Sequence, residues 1–258
     1  MTEKAAQPKR VLITGTTGAI GEPLAQHLLS RGHTVRGFAH RPSPGLTDYV
    51  MGDLSDRDKV RQAVEGMDTI IHLGAYPNPA DFMDVLLGPN VIGLYHICEA
   101  AKDFGVERLV LASTLQVVTG HQFPDRPVRI EDGPAPVNHY ALTKAWAEIA
   151  GDMYARVHNI SVINARIGWL PRNREEAKRL SEFAMGPNVF FSHNDSNRFH
   201  ERCVESPNPP RGQCVTLFAI SKPLNKDRLD LEPARRIIGY EPQDTWPQGL
   251  PYSVEGIV

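Results

Sequence analysis

A tyrosine and a lysine lie four positions apart in the segment HYALTKAWAE, residues 139 to 148. On a helix this spacing spans about 6 Å along the axis and places Tyr140 and Lys144 on one face, in adjacent turns. A phenol has a pKa near ~10 in water, and a neighbouring ammonium group favours its anion. We therefore expect Lys144 to lower the pKa of Tyr140 and to make the phenol an acid or base for proton transfer. The alternative is a core tyrosine beside a solvated lysine.

Three regularly spaced glycines form a candidate phosphate-binding turn. Gly15, Gly18 and Gly21 lie in TGTTGAIG, residues 14 to 21, between a short apolar run and a helical pattern. In this position the first glycine makes a tight turn, the second admits a pyrophosphate close to the backbone, and the third lets the helix pack on the strand. The helix N-terminus adds N–H groups and a positive dipole. A purely structural turn is the alternative, and the succession of strand, turn and helix disfavours it.

The elements that must position these residues alternate between strands and helices. Short apolar runs predict strands at residues 10 to 14, 33 to 39, 68 to 75, 107 to 114 and 160 to 168. Helical spacing of apolar residues predicts helices at 19 to 31, 56 to 66, 90 to 104 and 140 to 158. This alternation predicts an α/β fold with a doubly wound parallel sheet over residues 8 to 170. Residues 171 to 258 are less regular and predict a small, substrate-capping C-terminal lobe with a strand at 213 to 219 and a helix at 232 to 238.

Composition favours a globular protein that binds small molecules. The chain has 258 residues, of which 41% are hydrophobic and 22% charged, and a formal net charge of −2. This charge argues against binding to nucleic acid or to an anionic membrane surface. The longest apolar runs fall short of the ~20 residues that span a bilayer, and the N-terminal residues do not form a signal peptide.

Cysteine usage indicates a reducing compartment, and we expect a cytoplasmic protein. Cys98, Cys203 and Cys214 are odd in number, far apart and in no C-x-x-C arrangement, so neither a disulfide framework nor a zinc site is predicted. His193 and Asp195 resemble a metal-binding pair in isolation. A packed histidine and a helix N-cap at Asp195 explain them better, and we expect no metal.

The spacing G-x-x-G-x-x-G, together with Y-x-x-x-K, resembles the short-chain dehydrogenase/reductase superfamily. The resemblance is to its extended branch of NAD-dependent epimerases and dehydratases, and it covers nearly the whole chain. Further matching pieces occur in the order typical of that branch: GDL (52 to 54), HLGA (72 to 75), Asn90, LAST (111 to 114) and ARIG (165 to 168). The resemblance implies a Rossmann-type fold, a nicotinamide dinucleotide as cofactor and a homodimer.

The same resemblance implies a catalytic triad. Its members here are Tyr140, Lys144 and Thr114, with Ser113 beside the last; most relatives have serine at the third position. Tyr140 is expected to take a proton from a substrate hydroxyl while hydride passes to the nicotinamide, with Thr114 holding the substrate oxygen. Lys144 is expected also to bind the ribose hydroxyls of the nicotinamide nucleotide. The residues expected to bind the cofactor are Gly15, Thr17, Gly18, Ala19, Ile20, Arg41, Asp53, Leu54, Leu73, Gly74, Ala75, Asn90, Tyr140, Lys144 and Ile167.

The end of the second predicted strand favours NADP over NAD. Sites selective for NAD usually carry an acidic residue there, which holds the ribose 2′-hydroxyl. This chain has Ala39, His40 and Arg41 instead. A guanidinium group suits a 2′-phosphate through paired, charge-assisted hydrogen bonds, so Arg41 is our candidate. The alternative is an exposed loop arginine.

Within the branch, the chain resembles uronate dehydrogenases, which oxidise the anomeric carbon of a hexuronate. The matching pieces are DTIIHLGA (68 to 75), NVIGLYHICEAA (90 to 101), ARIG and FFSHND (190 to 195). Leu115 and Gln116 replace the polar pair of those enzymes, and Trp169 replaces a small hydroxylated residue. A substrate carboxylate calls for a nearby cation, for which the segment 172 to 179 offers several arginines and a lysine. The candidate substrate residues are Tyr76, Gln116, Trp169, Arg174 and Arg179.

Three functions compete. The first is an NAD(P)-dependent oxidoreductase that acts on a free sugar or sugar acid. The second is an epimerase of the same family, which returns the hydride to the opposite face. The third is a nucleotide-sensing regulator without catalysis, and relatives of that kind typically lack the tyrosine and the lysine. Tyr76 and Trp169 also suit a less polar pocket, for a different sugar or an aromatic carbonyl.

Overall fold

The structure is a computed structural model and describes residues 7–122 and 125–256. Its strands are β1 (Arg10–Thr14), β2 (Thr34–Ala39), β3 (Tyr49–Met51), β4 (Thr69–His72), β5 (Arg108–Thr114), β6 (Ser161–Ile167) and β7 (Cys214–Ala219). Its α-helices are α1 (Gly21–Ser30), α2 (Arg57–Val64), α3 (Gly93–Asp103), α4 (His139–His158), α5 (Arg174–Glu182), α6 (His193–Glu205) and α7 (Glu232–Ile238). None of these helices is long and apolar enough to cross a membrane.

The strands form one parallel sheet. Their order is β3-β2-β1-β4-β5-β6-β7, and each neighbouring pair is parallel. From β1 the chain first proceeds to one edge, through β2 and β3, and then returns to continue on the other side with β4. The strand order therefore reverses between β1 and β4, and ligands of such sheets bind at the carboxyl ends of the strands at this point. The predicted doubly wound, Rossmann-type sheet is confirmed.

The sheet is buried on both faces. Along β1, Val11 and Ile13 pack into one hydrophobic cluster with Leu24 and Leu28 of α1. Leu12 faces the other way and packs into a second cluster with residues of α2, α3 and α4. Side chains alternate across a strand, so continuous apolar runs such as RVLIT supply both clusters at once.

Two predicted elements differ from the observed ones by three residues at one end. The strand predicted over 68 to 75 is confined to Thr69–His72, and the next three residues leave the sheet and line a cavity. The helix predicted over 90 to 104 begins at Gly93 and follows a π-helical segment, Phe82–Ile92. Pro89 lies inside that segment, where it lacks the N–H that a regular α-helical bond requires.

The C-terminal part of the chain completes the sheet and packs against it. β7 pairs with β6, so the sheet extends beyond residue 170. The boundary between a unit at 8 to 170 and a lobe at 171 to 258 stays a prediction, and residues 123, 124, 257 and 258 of those units lie outside the described residues.

The prediction that Asp195 caps a helix is wrong. The N-cap of α6 is Ser192, whose hydroxyl accepts a hydrogen bond from the Asp195 N–H at 2.8 Å. The buried carboxylate of Asp195 instead accepts hydrogen bonds from the N–H groups of Gln243 and Asp244, at 2.9 and 3.0 Å. It thus fastens the C-terminal segment to α6, and His193 is buried beside it as expected.

Candidate active site

A cavity of about 1200 Å³ opens at the carboxyl edge of the sheet, where the strand order reverses. Its wall combines the turn between β1 and α1, the ends of β2, β4, β5 and β6, the start of α4 and part of α5. Most of the predicted site residues lie in this wall: Gly15, Thr17, Gly18, Ala19, Ile20, Asp53, Leu54, Leu73, Gly74, Ala75, Tyr76, Thr114, Gln116, Tyr140, Lys144, Ile167, Trp169 and Arg179.

Three predicted residues lie outside the wall. Arg41 donates a hydrogen bond to the Thr17 carbonyl at 3.3 Å, beside the glycine turn. Asn90 is buried and bonds both the N–H and the carbonyl of Tyr76, at 2.8 and 3.1 Å, so it fixes the loop after β4. Arg174 donates to backbone carbonyls of the C-terminal segment, one of them that of Glu255 at 3.0 Å. The structure therefore does not bring Arg174 to the cavity.

The glycine turn is shaped to hold a pyrophosphate. Gly15 has φ = 77°, which lies in the left-handed region that favours glycine. A Cβ on Gly21 would lie 2.3 Å from the Gly15 carbonyl oxygen, so α1 can pack this closely on the turn only with glycine there. The N-terminus of α1 has no side-chain cap. The positive end of the helix dipole, at the edge of the cavity, suits an anionic phosphate group.

A buried polar pair supports the floor of the cavity. The Thr14 hydroxyl oxygen lies 2.9 Å from Nδ1 of His72 and accepts a hydrogen bond from the Gly74 N–H, also at 2.9 Å. Burial, and then the charge of Lys144, lower the pKa of His72 to about 3. His72 is therefore neutral and orients the loop at Gly74, without a role as a proton donor at neutral pH.

The structure distinguishes the two adjacent hydroxyls at the end of β5. Ser113 donates a hydrogen bond to Glu148 at 2.6 Å, and the same carboxylate binds Arg166 at 2.9 and 2.8 Å. Ser113 is thus engaged in a buried network. Thr114 instead accepts a hydrogen bond from the Gln116 N–H at 3.3 Å and lines the cavity together with Tyr140, whose pKa it acts to lower. This arrangement supports Thr114 as the third member of the catalytic group.

The electrostatic environment of Tyr140 differs from the expected one. Burial raises the pKa of Tyr140 to about 12, while the hydrogen bond with Thr114 and the charge of Arg172 act to lower it. Lys144 donates a hydrogen bond to the Ala112 carbonyl at 2.9 Å, and its ammonium nitrogen lies 5.9 Å from the centre of the Tyr140 ring. The effect of Lys144 on the phenol stays a prediction. Burial lowers the pKa of Lys144 itself to about 8.

The far end of the cavity, beyond Tyr140, mixes aromatic and polar groups. Trp169 and Phe183 form a tilted pair with ring centroids 6.1 Å apart. Arg179 also lines the wall and forms no ion pair within the described part of the chain. The other lining residues at this end include Tyr76, Asn78, Gln116, Thr119, Gln122, Arg172, Glu176 and Met185.

Sequence reasoning did not include Glu176, Phe183 and Met185 in the site. A signal for Glu176 existed, because it follows Arg172 by four residues, the spacing of a helical ion pair. Phe183 and Met185 follow the end of α5, and no sequence pattern predicts that they line the cavity. Among the described residues, no group of three His, Cys, Asp or Glu side chains is placed to hold a metal ion.

Comparison with known proteins agrees with this geometry. Residues 11–173 match the model of the NAD dependent epimerase/dehydratase family. The L-arabinose 1-dehydrogenase (NAD(P)(+)) of Haloferax volcanii is 34% identical over 251 residues, covering 91% of this chain and 96% of that protein. A uronate dehydrogenase of Pseudomonas syringae pv. tomato is 29% identical over 202 residues, covering 77% of this chain and 70% of that protein.

Solved structures of related proteins have the same fold. The structure of a glucuronic acid dehydrogenase from Chromohalobacter salexigens superimposes with a TM-score of 0.77 at 26% identity, covering 92% of this chain and 85% of that one. The family match spans more than half of the chain and includes the glycine turn, Thr114, Tyr140 and Lys144. The chain belongs to the NAD-dependent epimerase/dehydratase family, the extended branch of the short-chain dehydrogenases/reductases.

Proposed function

We propose that the protein is an NAD(P)-dependent dehydrogenase that oxidises the C1 hydroxyl of a free cyclic sugar to the corresponding lactone. The observation that carries this proposal is the placement of Thr114, Tyr140 and Lys144 in one cavity with the glycine turn. Family membership and the dehydrogenase relatives, one of which is covered over nearly its whole length, support it. Sheets of this topology bind dinucleotides at the carboxyl ends of the strands, at the point where the strand order reverses.

The roles of the three residues follow from their contacts. Thr114 and Tyr140 line the same cavity, and Thr114 lowers the pKa of the phenol, which supports a role for both hydroxyls in binding the C1 oxygen. Tyr140, as phenolate, accepts the proton of the C1 hydroxyl. A bound oxidised nicotinamide supplies the acceptor for the hydride that leaves C1. Lys144 is anchored to β5 through Ala112 and is placed to donate hydrogen bonds to the ribose of that nucleotide.

The glycine turn and the end of β2 support NADP as the preferred cofactor. The positive end of the α1 dipole, next to the glycine turn, suits the pyrophosphate. The Arg41 guanidinium lies against Thr17 in the turn, and no acidic residue occupies positions 39 to 41 at the end of β2. A guanidinium at this turn suits a ribose 2′-phosphate.

The aromatic pair at the far end of the cavity supports a neutral aldose as the substrate. Trp169 and Phe183 offer an apolar platform to the C–H face of a pyranose ring, and Gln116 lies in the same wall to bind hydroxyl groups. Arg172 is already paired with a carboxylate, that of Glu176. A hexuronate is the second candidate, and Arg179, which has no ion-pair partner among the described residues, favours it.

A substrate screen tests the proposal. We expect the purified protein to reduce NADP⁺ faster than NAD⁺ with L-arabinose or a related aldose, and to release a lactone. Oxidation of D-galacturonate alone would select the second candidate. If sugar isomers interconvert without net reduction of the cofactor, the protein is an epimerase, and if no sugar or sugar acid reacts, the proposal is wrong.

We also propose a cytoplasmic homodimer. Five large apolar side chains of α4 are exposed along one face, with Ile149 at 66% and Val157 at 60%; the others are Leu142, Trp146 and Met153. An apolar stripe of this size on a surface helix is typical of a protein interface. A twofold axis lets a second copy cover it with the same residues. The free cysteines support a reducing compartment.

A further inference from the structure

We propose that Trp169 selects the substrate by size. Its indole ring takes up the space that a substituent on C5 of a pyranose would need, so the enzyme accepts aldopentoses and excludes hexoses and hexuronates. Trp169 is thus a specificity-determining residue of the cavity wall. The proposal rests on the dehydrogenase function proposed above, and it deepens that function by naming the class of sugar.

Trp169 lies on the same face of the sheet as the hydroxyl of Thr114. In the register of the sheet, Thr114 of β5 is the partner of Ile167 of β6. Trp169 follows Ile167 by two residues, about 7 Å along the strand direction, and side chains two apart on a strand share a face. The backbone at Trp169 is still strand-like, because it forms a parallel bridge with Phe190. The position of Trp169 is therefore roughly the width of a sugar ring beyond the hydroxyl proposed to bind the C1 oxygen.

The backbone of Trp169 is fixed by a neighbouring segment. Its N–H donates to the Val189 carbonyl at 2.8 Å, and its carbonyl accepts a hydrogen bond from the Phe191 N–H at 2.9 Å. Gly168 permits this close approach, since a Cβ there would lie 2.5 Å from the Val189 carbonyl oxygen. The position of Trp169 is thus set by the fold before any sugar binds.

The indole ring is held as well as the backbone. It packs against two hydrophobic clusters, one that contains Val118 and Val189 and one that contains Leu180 of α5. The ring of Phe183 forms a tilted pair with it, at 6.1 Å between centroids. An aromatic ring packed from several sides does not move aside without losing those contacts and opening a void. A larger sugar therefore meets a wall that does not yield.

A pentopyranose has an apolar edge where a hexopyranose carries a substituent. Carbons C1 to C4 of the pentose each bear a hydroxyl group, whereas C5 is a methylene group. The carbon face of an indole ring offers no hydrogen bond to a hydroxymethyl or carboxylate group. Such a group, pressed against Trp169, would lose its hydration without a partner in exchange. Its volume and its polarity both act against binding.

Gln116 orients the sugar so that this edge faces Trp169. The side-chain oxygen of Gln116 accepts a hydrogen bond from the Asn138 amide at 3.0 Å. Asn138 is itself held as the N-cap of α4, where it accepts from the Ala141 N–H at 2.8 Å. The amide NH₂ group of Gln116 can then donate to a sugar hydroxyl. With C1 at Tyr140 and the hydroxyls at Gln116, the C5 edge remains for the aromatic wall.

A series of sugars that differ only at C5 tests the proposal. L-arabinose, D-fucose, D-galactose and D-galacturonate share the configuration of C2 to C4 and carry hydrogen, methyl, hydroxymethyl and carboxylate at C5. The readout is kcat/KM for reduction of the oxidised dinucleotide. In the wild type we expect kcat/KM to fall roughly 10- to 200-fold from L-arabinose to D-fucose, the effect of one carbon atom in a tight pocket. D-galactose and D-galacturonate should react no faster than D-fucose.

Two variants of Trp169 should change this order. Trp169→Ser opens the wall, and we expect kcat/KM for D-fucose and D-galactose to rise at least roughly tenfold, without a rise for L-arabinose. Trp169→Phe keeps an aromatic ring for packing and should give an intermediate result. Tyr49→Ser is the matched control, because Tyr49 is a partly exposed aromatic residue of β3 outside the cavity wall. Its ratios between the sugars should equal those of the wild type.

The outcomes separate this proposal from the function on which it rests. Equal kcat/KM of the wild type for L-arabinose and D-galactose, or a preference for D-galacturonate, would overturn the selection and leave the dehydrogenase function intact. Unchanged ratios in both Trp169 variants would do the same. Full acceptance of D-fucose with rejection of D-galactose would show that polarity decides, and would overturn the role of size. A wild type that oxidises none of the four sugars would refute the dehydrogenase function and, with it, the selection.

Discussion

The ammonium nitrogen of Lys144 lies 2.9 Å from the carbonyl oxygen of Ala112, so the lysine is tied to the sheet and not to the hydroxyl of Tyr140. This bond crosses from α4 to β5 and directs the charge along the cavity wall. Lys144 is therefore better placed to bind the dinucleotide than to activate the phenol by direct contact.

The position of Lys144 predicts a pH dependence of cofactor binding. Burial lowers the pKa of Lys144 to about 8, so its ammonium form is present below that pH and is lost as the pH rises through it. An anionic dinucleotide binds better to the charged form. We expect the Kd for NADPH to rise with pH through about 8 in the wild type. In Lys144→Met we expect a higher Kd for NADPH that does not change with pH. An equally steep pH dependence in that variant would contradict this role. Calorimetric titration measures the Kd of both proteins at each pH.

Arg41 is predicted to set the cofactor preference. Arg41→Ala removes the cation beside the glycine turn, and we expect the affinity for NADPH to fall by roughly 10- to 100-fold, as for the loss of a charge-assisted hydrogen bond. The affinity for NADH should stay within a few-fold. Arg57→Ala, an arginine of α2 outside this cavity, is the control. An unchanged ratio of the affinities for NADPH and NADH would contradict the role of Arg41 in cofactor preference.

Gly21 is predicted to tolerate no side chain. A Cβ at this position would lie 2.3 Å from the Gly15 carbonyl oxygen, so Gly21→Ala forces α1 away from the glycine turn. We expect a loss of about 1 to 3 kcal/mol in the free energy of unfolding, together with weaker dinucleotide binding. Gly88→Ala is the control, because a Cβ there meets no atom within 4 Å. Equal stability of the two variants in urea denaturation would show that the close packing is unnecessary.

The exposed face of α4 is predicted to form the dimer interface. Ile149→Glu places a charge in the middle of the apolar stripe, and we expect the molar mass measured by light scattering to fall from two chains to one. Leu224→Glu alters a similarly exposed apolar residue outside α4 and should leave the dimer intact. A monomeric wild type, or a dimer that survives Ile149→Glu, would contradict the assignment.

The fold, the glycine turn and the Tyr140–Lys144 pair could be predicted from the sequence, because each is encoded by residues close together in the chain. Apolar runs such as RVLIT predict buried parallel strands, and glycines between a strand and a helix mark a phosphate turn. The Tyr140 and Lys144 pair needs only one helix to bring it together. These features depend on neighbours within a few residues, so they were predicted with nearly the observed bounds.

The substrate half was less accessible because tertiary contacts shape it. Phe183 and Met185 line the cavity, and the chain after them pairs with Trp169, just beyond β6; no periodic pattern encodes that path. The direction of the Lys144 ammonium depends on the backbone of β5, which is distant in sequence. Arg174 was a candidate for binding a substrate carboxylate, yet its guanidinium donates a hydrogen bond to the C-terminal segment instead. The direction of a charged side chain on a helix such as α5 depends on which segments pack beside that helix.

Tyr140→Phe is the most direct test of the central claim that the Tyr140 phenol transfers the proton during sugar oxidation. The substitution removes only the hydroxyl, so the packing of the ring and the dinucleotide site should persist. The account predicts a loss in kcat of at least roughly 100-fold, with the Kd for NADPH within a few-fold of the wild type. A variant that keeps most of its activity on the preferred sugar would contradict it.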